Sequence, residues 1–170
     1  PPASVSSKAA PDKSILITLT KDGKAFLMLG DDTKKEDILK DINTTKGLNL
    51  TPGELAKWKK QGFIGLPLNQ IKSSLSLSSE IPAAKMPGIP TDSTNNEMSD
   101  WLRSITNAYR GTAQNKLQEM LLVKGDNAVL YPAFKNIKQA FKKNEIYKFR
   151  IVANGEAVPV GSELYNSQPK

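Results

Sequence analysis

ILITLTKDGKAFLML, residues 15–29, is the stretch that decides the fold. Two mainly apolar runs, 15–19 and 25–29, flank a polar segment that contains Asp22 and Gly23. Asp and Gly accept the positive φ angles of a tight turn, and the flanking runs have the length of strands. The stretch therefore predicts a β-hairpin.

Four helical patterns follow the hairpin. Three of them begin with a capping box, in which a Thr is followed three residues later by a Glu, at 33–36, 51–54 and 94–97. The fourth begins at Pro132 and places the apolar residues Ala133, Ile137, Ala140 and Phe141 on one side. The helix at 51–54 is expected to be brief because Gly62 follows soon after it.

Two further strands are predicted in the second half. Residues 120–123, MLLV, form a continuous apolar run, which is typical of a central strand buried on both faces. In residues 146–152, the apolar residues Tyr147, Phe149 and Ile151 alternate with Lys148 and Arg150, which indicates one buried face. The order of elements predicts an α+β fold, a two-layer sandwich of a mixed β-sheet with helices on one face.

The length of 170 residues predicts one domain, residues 14–160, between a Pro/Ser/Ala-rich linker at 1–13 and a loose tail at 161–170. Residues of about 46–93 contain several Pro and Gly and only one brief helical pattern. We therefore expect them to form a long irregular insertion on the domain surface. Residues 157–160 are expected to add a short edge strand.

The composition excludes many kinds of chemistry. The chain has 24 Lys and Arg, 17 Asp and Glu, and neither Cys nor His, which gives a net charge of +7. Thiolate nucleophiles, most zinc sites, serine triads and imidazole bases all need Cys or His. We therefore expect no enzymatic activity, no cofactor and no metal ion. No run approaches the roughly 18 consecutive apolar residues that a membrane span needs.

A cluster of carboxylates could hold a hard cation or supply an acid and base pair; its members are Asp31, Asp32, Glu36 and Asp37. The same pattern is expected at the start of any helix, where carboxylates meet free N–H groups and the positive end of the helix dipole. We favour this second interpretation, because Thr33 and Glu36 already form a capping pattern.

Positive charge is concentrated between Lys116 and Arg150, where eight basic residues meet three acidic ones. A nucleic-acid-binding surface is one interpretation. Aromatic residues are only 6% of the chain, and those near the lysines alternate as a buried strand face would, so an exposed stacking platform is not indicated. A solvated lysine face is the simpler explanation.

Several segments together resemble the periplasmic domain of ExbD/TolR biopolymer transport proteins, over about residues 15–154. They are PGIPTDSTNNE at 87–97, WLR at 101–103, LVKGD at 122–126, YP at 131–132 and KFRIV at 148–152. The insertion and the PTDSTNNE run look like the long ExbD variants of Bacteroidota. The likeness is specific in the second half and concerns only the order of elements in the first.

The resemblance implies that the chain is the periplasmic domain of a single-pass inner-membrane protein. It also implies that this domain carries no catalytic site. In this family the membrane helix works inside an ExbB-like channel and carries the proton-binding Asp. No Asp of this chain inherits that role, and the linker-like start would follow the anchor. The expected partners are a TonB-like protein, the ExbB-like subunit through the membrane helix, and a second copy of the full-length protein.

Two other functions remain open from the sequence. A TolR-like component of the Tol-Pal system would share the same core and would be associated with peptidoglycan. A basic nucleic-acid-binding module belongs to a different class and would bind DNA with a steep salt dependence. The insertion favours the ExbD-like interpretation, for which no nucleic-acid partner is expected.

The mode of partner binding is predicted from the sheet. An open sheet has edges whose backbone groups can accept an extended segment from another chain. The expected edge strands are 15–19 and 146–152, with the partner-binding residues Ile15, Ile17, Leu19, Lys148, Arg150 and Ile151. Lys148 and Arg150 would point away from the core and select partners by charge. The alternative is that residues 157–160 cover this edge.

Overall fold

The computed structural model describes residues 12–112 and 116–153. Their strands are β1 Ile15–Leu19, β2 Ala25–Leu29, β3 Thr91–Asp92, β4 Asn95–Asn96, β5 Leu121–Lys124 and β6 Arg150–Val152. Their α-helices are α1 Asp32–Thr45, α2 Pro52–Lys59, α3 Ile71–Ser74, α4 Glu97–Ala108, α5 Lys116–Met120 and α6 Pro132–Lys143. The predicted tail, the 157–160 strand and most of the linker lie outside the described residues. No helix within these ranges is both long and apolar enough to cross a membrane.

The main sheet has the order β2-β1-β5-β6. β1 pairs antiparallel with β2, as the hairpin prediction requires, and parallel with β5, which in turn pairs parallel with β6. The hairpin turn includes Gly23 at a φ of +88°. The sheet is therefore mixed, and β1 lies inside it.

The helices pack on one face of this sheet. Alternate side chains of β1, β2 and β5, such as Ile17, Leu27 and Val123, join the apolar sides of α1, α4 and α6 in one core. The intervening side chains Leu16 and Leu122 lie on the opposite face, in a smaller apolar cluster that Phe63 contacts. The predicted two-layer α+β sandwich with helices on one face is confirmed.

The helix starts show which capping predictions were correct. At α2 the capping box is present, since Thr51 Oγ1 accepts from the Glu54 N–H at 3.1 Å and Glu54 accepts from the Thr51 N–H at 2.9 Å. At α1 the predicted Thr33 box is wrong, because Asp31 is the N-cap and accepts from the Lys34 N–H. At α4 the N-cap is Asn96 and not Thr94. Asp31 and Asn96 took the two N-cap positions, and Asp and Asn are among the residue types most favoured there.

The prediction that residues 46–93 lie on the surface is wrong. The segment buries nine large apolar side chains in the main core, and Trp58 meets Trp101 of α4 edge to face with ring centroids 5.6 Å apart. The nine are Leu50, Trp58, Ile64, Leu66, Leu68, Ile71, Leu75, Met86 and Ile89. A short helix or a loop can bury a single apolar side chain in the core. Such a segment shows no regular period of apolar residues in the sequence.

Gly65 gives a test of how closely the insertion packs on the sheet. A Cβ at this position would lie 2.4 Å from a ring carbon of Phe26 and 3.0 Å from the Met86 sulfur. We expect Gly65→Ala to destabilise the domain by about 1–3 kcal/mol, because both neighbours are buried and must shift. Gly62→Ala is the control, since its Cβ meets nothing within 4 Å. Equal urea midpoints for the two variants would contradict the described packing.

Trp58 tests whether the insertion unfolds with the rest of the domain. We expect Trp58→Ala to lower the free energy of unfolding by about 3–5 kcal/mol, because a large core side chain is removed. Leu77→Ala, at a residue 46% exposed in the same insertion, should stay within about 0.5 kcal/mol of wild type. In the wild type, tryptophan fluorescence and far-ultraviolet circular dichroism should give one coincident transition; two separate transitions would show an independent insertion.

Candidate functional site

Three of the predicted partner-binding residues lie in the middle of the sheet. Ile15, Ile17 and Leu19 belong to β1, which is paired with β2 on one side and β5 on the other. Their side chains are almost wholly buried in the core. The prediction that β1 is an edge strand is therefore wrong, because its backbone groups already have partners on both sides and cannot accept another chain.

The outer side of β2 is closed by the insertion. Leu27 and Ile64 exchange two backbone hydrogen bonds, each of 2.9 Å, as an isolated antiparallel bridge. Further along, the Ile89 N–H donates to the Ala25 carbonyl at 2.8 Å. Strand addition at β2 would need these bonds to break, so this edge is not available to a partner.

The outer side of β6 is different. The Val152 carbonyl accepts from the Gly125 N–H at 3.1 Å, so Val152 directs its backbone groups toward β5. In a parallel pair this direction alternates, which places the N–H and C=O of Ile151 on the outer side. No strand of residues 12–112 and 116–153 pairs there. The Ile151 side chain is buried in the main core, so only its backbone faces outward.

The segment before β6 is not a strand, although the alternating pattern predicted one from residue 146. Tyr147 is 68% exposed, contrary to its predicted place on a buried face. The backbone N–H groups of Tyr147 and Lys148 both donate to Gln118 Oε1 of α5, at 2.7 and 2.9 Å. This single acceptor replaces a strand partner, and Glu145 at a φ of +59° turns the chain just before it.

The two predicted cationic residues differ in their surroundings. Lys148 is exposed. Arg150 is half-buried and lies beside Leu122, on the sheet face that the helices do not cover. Its guanidinium Nη2 donates to the Glu119 carbonyl. Arg150 directly precedes Ile151 in β6, whereas Lys148 lies three residues before Ile151 and outside the strand. Arg150 points away from the helix layer as predicted.

A row of lysines borders the same region. Lys135, Lys138 and Lys142 are exposed and share one side of α6, since positions three, four and seven apart lie on one face. The Lys138 ammonium lies 5.6 Å from the centre of the Phe134 ring. Phe149 contacts Phe134 and also Phe141, which ties the segment leading into β6 to this helix. Phe149 thus connects the helix that carries these lysines to the segment that leads into β6.

The acidic cluster at the start of α1 is engaged in local contacts. Asp31 caps the helix. Glu36 forms ion pairs with Lys40 and Lys59, both at 3.0 Å, and hydrogen bonds from Lys59 and Lys40 hold its pKa below the usual value. Within the described residues no three acidic side chains converge as a metal site. Asp31 therefore has the capping role expected at a helix start, whereas Glu36 is held by ion pairs and not by the predicted Thr33 box.

No match was found in a scan against models of protein families, among characterised proteins or among solved structures. The candidate site is thus defined by the contacts of this chain alone. The sequence placed Lys148, Arg150 and Ile151 in an edge strand; Arg150 and Ile151 do belong to β6, Lys148 precedes it, and their binding of a partner stays a prediction. The closing of β2 by Ile64 was missed. The available signal was a short apolar pair, Phe63 and Ile64, between two glycines.

Gln118 tests the geometry next to β6. Gln118→Met removes the acceptor of two backbone N–H groups while keeping the side-chain length. We expect amide hydrogen exchange at Tyr147 and Lys148 to accelerate by roughly threefold to tenfold, the equivalent of one modest hydrogen bond. Gln118→Glu retains an acceptor oxygen and should leave both rates nearly unchanged. Unchanged rates in Gln118→Met would contradict the contact.

Proposed function

We propose that this domain binds an extended segment of a partner protein at the outer edge of β6, without catalysing a reaction. The observation that carries the proposal is the contrast between the two sheet edges. The insertion occupies the outer side of β2, whereas Ile151 directs its N–H and C=O outward from β6. Backbone groups of this kind bind an added strand by main-chain hydrogen bonds.

The charges around β6 support a choice among partners. Arg150 and Lys148 precede Ile151 by one and three residues, and the exposed lysines of α6 lie on the helix that Phe149 contacts. A basic surround accelerates association with an acidic segment and disfavours a basic one. The partner segment is accordingly expected to be extended and to carry net negative charge near this edge.

We further propose that the chain is the periplasmic domain of an ExbD-like component of a TonB-ExbB-ExbD energy-transduction system. The support is the resemblance of residues 87–97, 122–126 and 148–152 to the ExbD/TolR family, together with the positions of these residues in the fold. Asn96 caps α4, and a Cβ on Gly125 would approach the Leu19 carbonyl to 2.8 Å. Residues 150–152 form β6 itself. The partner at that edge would then be a TonB-like protein.

The wider assignment is tested by purifying the full-length protein with its membrane partners from its own host. Co-purification of an ExbB-like channel subunit and a TonB-like protein is the expected result. Recovery of Tol-Pal components instead would replace the assignment by the TolR-like one. Binding of duplex DNA with a steep dependence on salt would point to the nucleic-acid-binding alternative.

The binding mode is tested by nuclear magnetic resonance titration with a synthetic peptide from the periplasmic linker of that TonB-like protein. We expect shifts centred on β6 and on residues 147–149. Ile151→Pro removes the outward N–H and should weaken binding by at least about tenfold, whereas Ile151→Val keeps the N–H and should bind within about threefold of wild type.

A second variant covers the case in which Ile151→Pro loses the fold. Lys148→Glu changes an exposed side chain, so the fold should remain while binding of an acidic peptide weakens. Lys85→Glu changes an exposed lysine outside β6, α6 and their surroundings and is the matched control. Shifts confined to residues 135–143, with β6 silent, would contradict strand addition.

A further inference from the structure

A groove lies beside β2, at the edge of the sheet opposite β6. It has a volume of about 980 Å³ and lies between the end of β2, α1 and α2. Its apolar lining comes from Met28, Leu29, Leu39, Leu55 and Ala56. A volume of this size is at the upper end of the range for small-ligand sites. We refer to it as the α1–α2 groove.

Lys35 is the unusual residue of this groove. It is only 7% exposed, although lysines are almost never so deeply buried without a charged partner. Its ammonium donates one hydrogen bond, of 2.6 Å, to the Gln61 carbonyl. An ammonium has three N–H donors, and within the described residues no second acceptor takes one. A buried cation with unused donors is a position at which an anion would be stabilised.

The surrounding charges favour an anion as well. Burial lowers the pKa of the Lys35 ammonium, and the carboxylates of Asp32 and Glu80 only partly oppose this effect. Four lysines line the groove, against two acidic residues. Glu36 pairs with both Lys40 and Lys59, so the lining as a whole has two more positive than negative charges. The groove is therefore electropositive around an apolar interior.

We propose that the α1–α2 groove binds an amphipathic carboxylate, a molecule with an alkyl chain and one terminal carboxylate. The carboxylate would accept hydrogen bonds from the Lys35 ammonium, and the alkyl chain would lie against Leu39 and Leu55. The buried Lys35 ammonium carries one positive charge, which one carboxylate would neutralise. Phosphate groups are more often held by arginine forks or clusters of backbone N–H groups, and no arginine lines this groove.

This site is independent of the proposed strand addition, because none of its lining residues belongs to β6 or α6. The probe for the test is sodium octanoate, and 1-octanol serves as the neutral molecule of equal chain length. Titrations followed by amide shifts of the labelled domain should place octanoate at α1, α2 and the end of β2. Octanoate should bind at least about tenfold more tightly than 1-octanol.

The key variant is Lys35→Met, which keeps an unbranched side chain, removes the buried charge and is expected to fold. It should weaken octanoate binding by at least about tenfold and leave 1-octanol binding unchanged. Leu55→Asn should weaken both probes, because it places a polar group on the apolar wall. Lys138→Met, outside the groove, is the control and should change neither.

Three results would overturn the proposal. The first is equal affinity of wild type and Lys35→Met for octanoate. The second is equal affinity of the wild type for octanoate and 1-octanol, which would indicate apolar contact alone. The third is a pattern of shifts spread over the lysines of α6, which would indicate nonspecific attraction of an anion to a basic protein.

Discussion

The pair of hydrogen bonds between Leu27 and Ile64 is the constraint on which the rest of the structure depends. It fixes the insertion against the outer side of β2, and Gly65 follows at once because only a residue without a Cβ can pass the Phe26 ring. The insertion can then bury Trp58 against Trp101. As a result, the chain itself closes one edge of the sheet. The edge at which we propose that a partner binds is β6.

Local signals in the sequence were sufficient for several elements. The Asp22-Gly23 turn, the apolar run of β5 and the one-sided pattern of α6 each depend on neighbouring residues, and each element formed where predicted. The capping box at Thr51 formed for the same reason. The α+β class followed from the order of these elements, because parallel strands need a crossover and helices supply it.

The failures concern contacts between distant residues. β1 was taken as an edge strand, although its continuous apolar run carried the same signal that correctly placed β5 inside the sheet. The insertion was taken as surface because its apolar side chains follow no regular period. Tyr147 was predicted to be buried because the alternating apolar pattern was interpreted as a strand. In the structure Gln118 accepts the hydrogen bond of the Tyr147 N–H in place of a strand partner. The α1–α2 groove had no sequence signal, since Lys35 and Gln61 meet only in the fold.

The difference between the two edges of the sheet is tested most directly by native-state amide hydrogen exchange on the unliganded domain. If the edges differ as described, the amides of Leu27 and Ile64 exchange as slowly as that of Ile17 in the central strand. The outward amide of Ile151 then exchanges faster than these by at least about a hundredfold, because no strand of the described residues pairs with it and it can exchange without an opening event. Equal protection of Ile151 and Leu27 would show that the edge of β6 is already occupied and would contradict a partner site there.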